Sequence, residues 1–121
     1  MHQHEKINYI ELPCRNIERT KSFFSTVFGW VFTDYGPDYT AFSATDAGID
    51  GGFTLTQTHC RSAQGSALIV FYSHDLMAAQ ARIQQAGGTI VQQTLSFPGG
   101  QRFHFADPNG NEYAVWSEAT K

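Results

Sequence analysis

The chain carries one plan twice, and that duplication limits its fold more than any other feature. An offset of 59 residues places Ile17 on Leu76, Phe24 on Ile83, Val27 on Ala86 and Gly29 on Gly88. In the first copy, residues 7–12 read as a strand ended by Pro13. Asn16 follows as a helix N-cap, and Ile17, Phe24, Val27 and Phe28 recur at helical spacing until Gly29. Strands are then expected at residues 30–35, 39–44 and 52–58, with turns at Gly36-Pro37-Asp38 and Asp46-Ala47-Gly48. The second copy repeats the order. It has a strand at 67–72, an N-cap at Asp75, and a stripe of Leu76, Ala79, Ile83 and Ala86 closed by Gly87-Gly88. Strands follow at 89–95, 101–106 and 112–117. The expected fold is α+β: two tandem β-α-β-β-β modules, about 7–58 and 67–118, joined by a polar linker at 59–66 within a single domain, 1–121.

The last two strands are joined by Asp107-Pro108-Asn109-Gly110-Asn111. Pro108 pre-sets its φ, Asn109 and Gly110 tolerate left-handed geometry, and Asp107 can accept bonds from the backbone ahead of it. This is a hairpin signal. Strand parity then assigns faces. Tyr9 and Glu11 share one side of the first strand, and Glu11 is a carboxylate among apolar neighbours. In the fifth strand Leu68, Val70 and Tyr72 alternate with Ala67, Ile69 and Phe71, so both faces are apolar and both need cover.

Ten Phe, five Tyr and two Trp leave two readings open: an aromatic core, or a cavity walled by flat rings. A net charge of −3 without a basic stripe argues against nucleic-acid binding. No apolar run nears the roughly 20 residues that span a bilayer, and no signal-peptide pattern follows Met1, so a cytoplasmic address is expected. Cys14 and Cys60 are expected as free thiols.

In its motifs the chain resembles the vicinal oxygen chelate superfamily of glyoxalases, bleomycin-binding proteins and extradiol dioxygenases. The resemblance spans Ile7 to Glu118. It rests on the paired modules, on the stretch from Asn16 to Phe24, on Val27-Phe28-Gly29-Trp30, on Gln84-Gln85-Ala86-Gly87-Gly88, and on the Asp107–Asn111 turn. Within the superfamily it looks most like lactoylglutathione-lyase-related proteins. The resemblance implies a curved, barrel-like mixed sheet around a concave cavity, with helices outside. It also implies frequent dimerisation and, in metal-bearing members, His, Glu or Gln ligands from the first and last strands of each module. Such a metal binds vicinal substrate oxygens and stabilises a developing anion.

On this sequence the implied ligand positions fall on Tyr9, Leu68 and Ala114, with the remaining one near Phe53–Leu55. Leu and Ala have no donor atom, so no metal or other cofactor is expected at those positions. A displaced divalent site or acid–base centre would draw on Glu11, His104 and Glu112, if they converge. Against this, Glu112 opens a strand where it can be solvated, and His104 can face outward.

The residues whose parity faces the cavity are Tyr9, Glu11, Leu68, Val70, Tyr72, Ala114 and Trp116. Aromatic walls with one carboxylate suit a planar or cationic small molecule. Arg102 and His104 add a cationic side if their strand has matching parity. The expected function is binding of a small organic molecule without metal, by a homodimer. The alternatives are a lyase, isomerase or dioxygenase, and an interaction module without ligand.

Other features read as local structure. His2 and His4 lie in a fraying terminus. His59 and Cys60 are adjacent, so on extended chain they point apart. His74 sits at a helix start. Gly51-Gly52 marks close backbone packing rather than a phosphate cradle. Residues 97–100, Phe-Pro-Gly-Gly, form a lid or only a turn.

Overall fold

Each copy of the repeat builds its own four-stranded mixed sheet. The computed structural model describes residues 2–118. The chain divides after His59 into two units.

In the first unit β1 (Tyr9–Cys14) leads to α1 (Ile17–Phe28), then β2 (Phe32–Asp34), β3 (Tyr39–Phe42), a short α2 (Ala44–Ala47) and β4 (Asp50–Leu55). The sheet order is β1-β4-β3-β2, with β1 parallel to β4 and the other pairs antiparallel. Both expected caps of α1 form. Asn16 Oδ1 accepts from Arg19 N at 2.9 Å, and Gly29 is left-handed at φ 75°. Pro13 does not end β1, because the ladder continues through Pro13↔Thr54 and Cys14↔Leu55. The strand lies at the sheet edge, where a missing N–H breaks no ladder. Where a turn was expected at residues 46–48, α2 makes one helical turn closed by left-handed Gly48.

Aromatic side chains make this unit's core. Phe24 is fully buried and stacks on Trp30 with centroids 4.8 Å apart; Trp30 meets Phe42 at 4.6 Å, and Phe24 meets Phe53 at 5.3 Å. Each ring contact adds about 0.5–1.5 kcal/mol beyond simple burial. The aromatic surplus of the first copy therefore goes into a core.

In the second unit a 3-10 turn (Ser62–Gln64) precedes β5 (Ile69–Tyr72) and α3 (Leu76–Gln85). Then come β6 (Thr89–Phe97), β7 (Gly100–Ala106) and β8 (Glu112–Glu118). The sheet order, β5-β8-β7-β6, repeats the first, with β5 parallel to β8. Asp75 caps α3 by accepting from Ala78 N at 3.1 Å. The left-handed glycine after α3 is Gly87 (φ 102°), one residue before the Gly88 that the offset aligns with Gly29. The helix is two residues shorter than α1, ten against twelve, and a right-handed C-cap, Ala86, stands before the left-handed glycine, leaving a net shift of one. Ile83, Phe103, Phe105, Tyr113 and Val115 are at most 1% exposed and form the core.

Residues 97–100 are only a turn: Phe97 pairs with Gly100 across Pro98-Gly99, and Gly99 takes φ 111°. Cys14 and Cys60 are both thiols, with no disulfide between them. No helix among the described residues is long and apolar enough to cross a membrane.

Candidate functional site

Alternation along β5, β8 and β7 puts two groups of side chains on opposite faces of the second sheet. Phe71, Phe103, Phe105, Tyr113 and Val115 share the core face. The other face carries two cross-strand rows, Val70–Ala114–His104 and Tyr72–Trp116–Arg102. Arg102 and His104 thus have the parity that the cavity reading required. Val70 and Tyr72 are 44% and 43% exposed. Val70, Phe97, Arg102 and Trp116 line an open pocket of about 230 Å³ on this face. Trp116 is its central wall, edge-on to Tyr72 at 5.0 Å and tilted against Phe97 at 6.2 Å.

Beside Arg102 lies a buried hydrogen-bonded pair, His104 and Glu112. His104 Nδ1 donates to Glu112 Oε2 at 2.8 Å. The other oxygen, Oε1, accepts from Ser62 N at 3.0 Å and from Ser62 Oγ at 2.9 Å. Glu112 is 7% exposed and His104 9%, so neither the solvated Glu112 nor the outward His104 occurs. Burial pushes the Glu112 carboxyl up, but the hydrogen bonds from His104 and Ser62 outweigh it and hold the carboxyl below its usual range. An ionised Glu112 fixes the proton on Nδ1 and leaves Nε2 as the free ring atom. His104 Nε2 and Arg102 Nε are both buried and have no hydrogen-bond partner among the described residues. Leaving such an atom unsatisfied costs about 1–3 kcal/mol.

The turn after β7 holds Ser62 in place. Asp107 Oδ1 accepts from Asn109 N (2.9 Å) and Asn111 N (3.0 Å), and Oδ2 accepts from Tyr113 OH at 2.7 Å. The ordered turn then binds the segment before Ser62. Asn111 Oδ1 accepts from Cys60 N at 2.8 Å, and Gly110 O accepts from Arg61 Nε at 2.7 Å. Glu112 N donates to Cys60 O at 2.8 Å. A hairpin turn thus fixes the serine that orients Glu112, which orients His104.

A pH dependence follows. A carboxyl with a lowered folded-state pKa adds stability that is present above its unfolded pKa. That stability is lost as pH falls through the folded value. Glu112→Gln should therefore flatten the fall of Tm as pH drops below about 5. Asp107, whose pKa burial raises against the donors from Tyr113, Asn111 and Asn109, works in the opposite direction and stays in place. Thermal unfolding of both proteins across this range checks the difference; parallel curves would contradict it.

The first unit presents a different cluster. Tyr9 and Glu11 share the face of β1 opposite the core. Tyr39 reaches them, with its hydroxyl bonded to that of Tyr9 and donating to Glu11 Oε2 at 3.1 Å. Burial, then the bonds to Tyr9 and Glu11, push the Tyr39 phenol up, so it stays protonated. Gly52 lies beneath: a Cβ there would meet Tyr39 Cζ at 2.5 Å. Glu11 is therefore engaged within its own unit by Tyr39, while His104 and Glu112 pair in the other.

The donor atoms do not fit the divalent metal that the resemblance implies. Ala114 is fully buried and has no donor; Leu68, half-buried just before β5, has none either. The Tyr9 hydroxyl is bound to Tyr39, and Phe53 is a core ring. Among the described residues no group of three or more His, Cys, Asp or Glu side chains could hold a metal ion.

The minor candidates hold local bonds. Arg15 Nη2 lies 3.2 Å from His59 Nδ1, Tyr72 OH lies 3.4 Å from His74 Nδ1, and His4 pairs with Glu5 on the surface. Ser62, Tyr39 and Phe97 were not among the sequence candidates for the site. Ser62 and Tyr39 carry no motif, and Phe97 had only its place beside a Pro-Gly pair.

Comparison with known proteins agrees with this architecture. A family model described as the Glyoxalase/Bleomycin resistance protein/Dioxygenase superfamily matches residues 6–115. No curated protein matches the sequence. Among solved structures, the chain is similar to a glyoxalase-related enzyme from Fulvimarina pelagi, at 19% identity and a TM-score of 0.76, covering 94% of this chain and 88% of the other. It is also similar to a genomically encoded fosfomycin resistance protein from Listeria monocytogenes, at 15% identity and TM-score 0.76, covering 97% and 96%. A third is an antibiotic binding protein from Streptomyces sp. CB03234, at 18% identity and TM-score 0.68, covering 98% and 100%. At these identities the likeness concerns the fold.

Proposed function

The chain belongs to the Glyoxalase/Bleomycin resistance protein/Dioxygenase superfamily, and from that premise we propose that it binds a small organic molecule on the open face of its second sheet, without a metal at the superfamily's ligand positions. The observation that carries this reading is the pocket lined by Val70, Phe97, Arg102 and Trp116. Its walls are an indole, a phenyl ring and an isopropyl group, with one guanidinium to orient a polar substituent. The antibiotic binding protein with the same fold offers a parallel for binding.

Removing the central wall tests this. A panel of monocyclic aromatic compounds should include members that raise the Tm of the protein. Trp116→Ala should weaken their binding tenfold or more, about 1.4 kcal/mol, read against the variant's own ligand-free Tm, which also falls as the ring contacts to Tyr72 and Phe97 are lost. Equal stabilisation of the variant would contradict the reading.

A second reading is acid–base turnover of the bound molecule. The His104–Glu112–Ser62 chain favours it, because Glu112 holds one imidazole tautomer and leaves Nε2 to exchange a proton. His104→Gln should then abolish turnover while binding persists. Full turnover by that variant would remove His104 from any such role.

A further inference from the structure

Resting on that pocket as a small-molecule site, we propose that its ligand is an organic anion, with an aromatic or apolar body against Trp116 and an oxyanion group received by Arg102 Nε–H and His104 Nε2. Arg102 lines the pocket, yet its Nε is buried without an acceptor. A guanidinium cannot shed its charge to escape this, so an acceptor has to come from outside the described residues. Both oxygens of Glu112 already accept, from His104 and Ser62.

The second unpaired nitrogen belongs to the next residue of the same strand face. Arg102 and His104 are alternate residues of β7 and therefore sit about 6–7 Å apart along it. Ala114 stands between His104 and Val70 in their cross-strand row. An oxygen acid suits both nitrogens. One of its oxygens accepts from Arg102 Nε–H. Another shares a proton with His104 Nε2, whether that proton arrives on the acid or on the imidazole. Glu112, hydrogen-bonded to Nδ1, balances the imidazolium in the second case. A neutral hydrocarbon would leave both nitrogens buried and unpaired, and a cation would face the guanidinium.

Benzoate and benzyl alcohol, which share a ring and differ in charge, are suitable probes for NMR titration of the full chain. Benzoate should bind at least tenfold more tightly and should shift both the Arg102 Nε–H and the Trp116 indole N–H signals. Arg102→Met should erase the preference for benzoate while ring binding to Trp116 persists; His104→Gln should reduce it. Equal affinity for the two probes, or a benzoate complex in which the Arg102 Nε–H signal does not move, would overturn the anion and leave the pocket standing. If neither probe moves the Trp116 signal, the pocket reading falls with it.

Discussion

Asp107→Ala should cost the protein about 3 kcal/mol of stability, far more than a typical loop substitution. Asp107 is 4% exposed and accepts from Asn109 N, Asn111 N and the Tyr113 hydroxyl. Alanine would remove the acceptor that these donors share, and a lost buried acceptor costs about 1–3 kcal/mol. The cost stays within that range because burial already disfavours the charged carboxyl, as its raised pKa shows, and its removal relieves that strain. Asp107→Asn keeps an acceptor oxygen and should lose less. The damage should also spread to the linker, because the turn holds Cys60 and Arg61 ahead of Ser62. Urea unfolding gives the stability, and hydrogen exchange at the Cys60 and Ser62 amides gives the spread. A loss below about 0.5 kcal/mol would mean that the network is not needed.

The adjacent glycines of β4 should respond very differently to the same added methyl group. At Gly51 a Cβ would stand 2.5 Å from the Ile10 carbonyl oxygen and also collide with the Phe42 ring. The carbonyl belongs to the backbone of β1, which pairs with β4 there, so it cannot turn aside. Gly51→Ala should therefore destabilise the first unit by about 3 kcal/mol, at the upper end for overpacking. At Gly52 the atoms in the way are the ring and hydroxyl of Tyr39, the far end of a flexible side chain. Gly52→Ala should cost about 1 kcal/mol or less and should swing Tyr39 off Tyr9 and Glu11. Chemical denaturation ranks the two variants. Equal losses would show that backbone contact is not the deciding factor.

Much of this fold is legible in the sequence because its signals are local. Asn16 and Asp75 cap helices with their own side chains, and the Asp107–Asn111 turn is written in consecutive residues. The offset between the copies needs only the apolar stripe. What misled was equally local: Pro13 looks like a strand terminator until β1 is known to be an edge. Parity assigned Val70, Tyr72, Ala114 and Trp116 to one face, because a strand alternates regardless of what covers it, and the pairing of β7 with β8 adds Arg102 to it. Parity does not say how deep a side chain lies. The carboxylate that orients His104 is itself held by Ser62, fifty residues before Glu112 in the chain. That bond is a tertiary contact from a linker without periodicity, so no local pattern announces it. Tyr39 is similar: only the bare surface of Gly52 lets its ring lie across the sheet to Tyr9 and Glu11.

The most direct test of the central claim is a crystal structure of the protein soaked with the aromatic compound that most raises its Tm. The predicted result is a ring lying against Trp116, within the space bounded by Val70, Phe97 and Arg102. A compound lodged elsewhere, for instance against Tyr39 in the first unit, with only solvent beside Trp116, would contradict it.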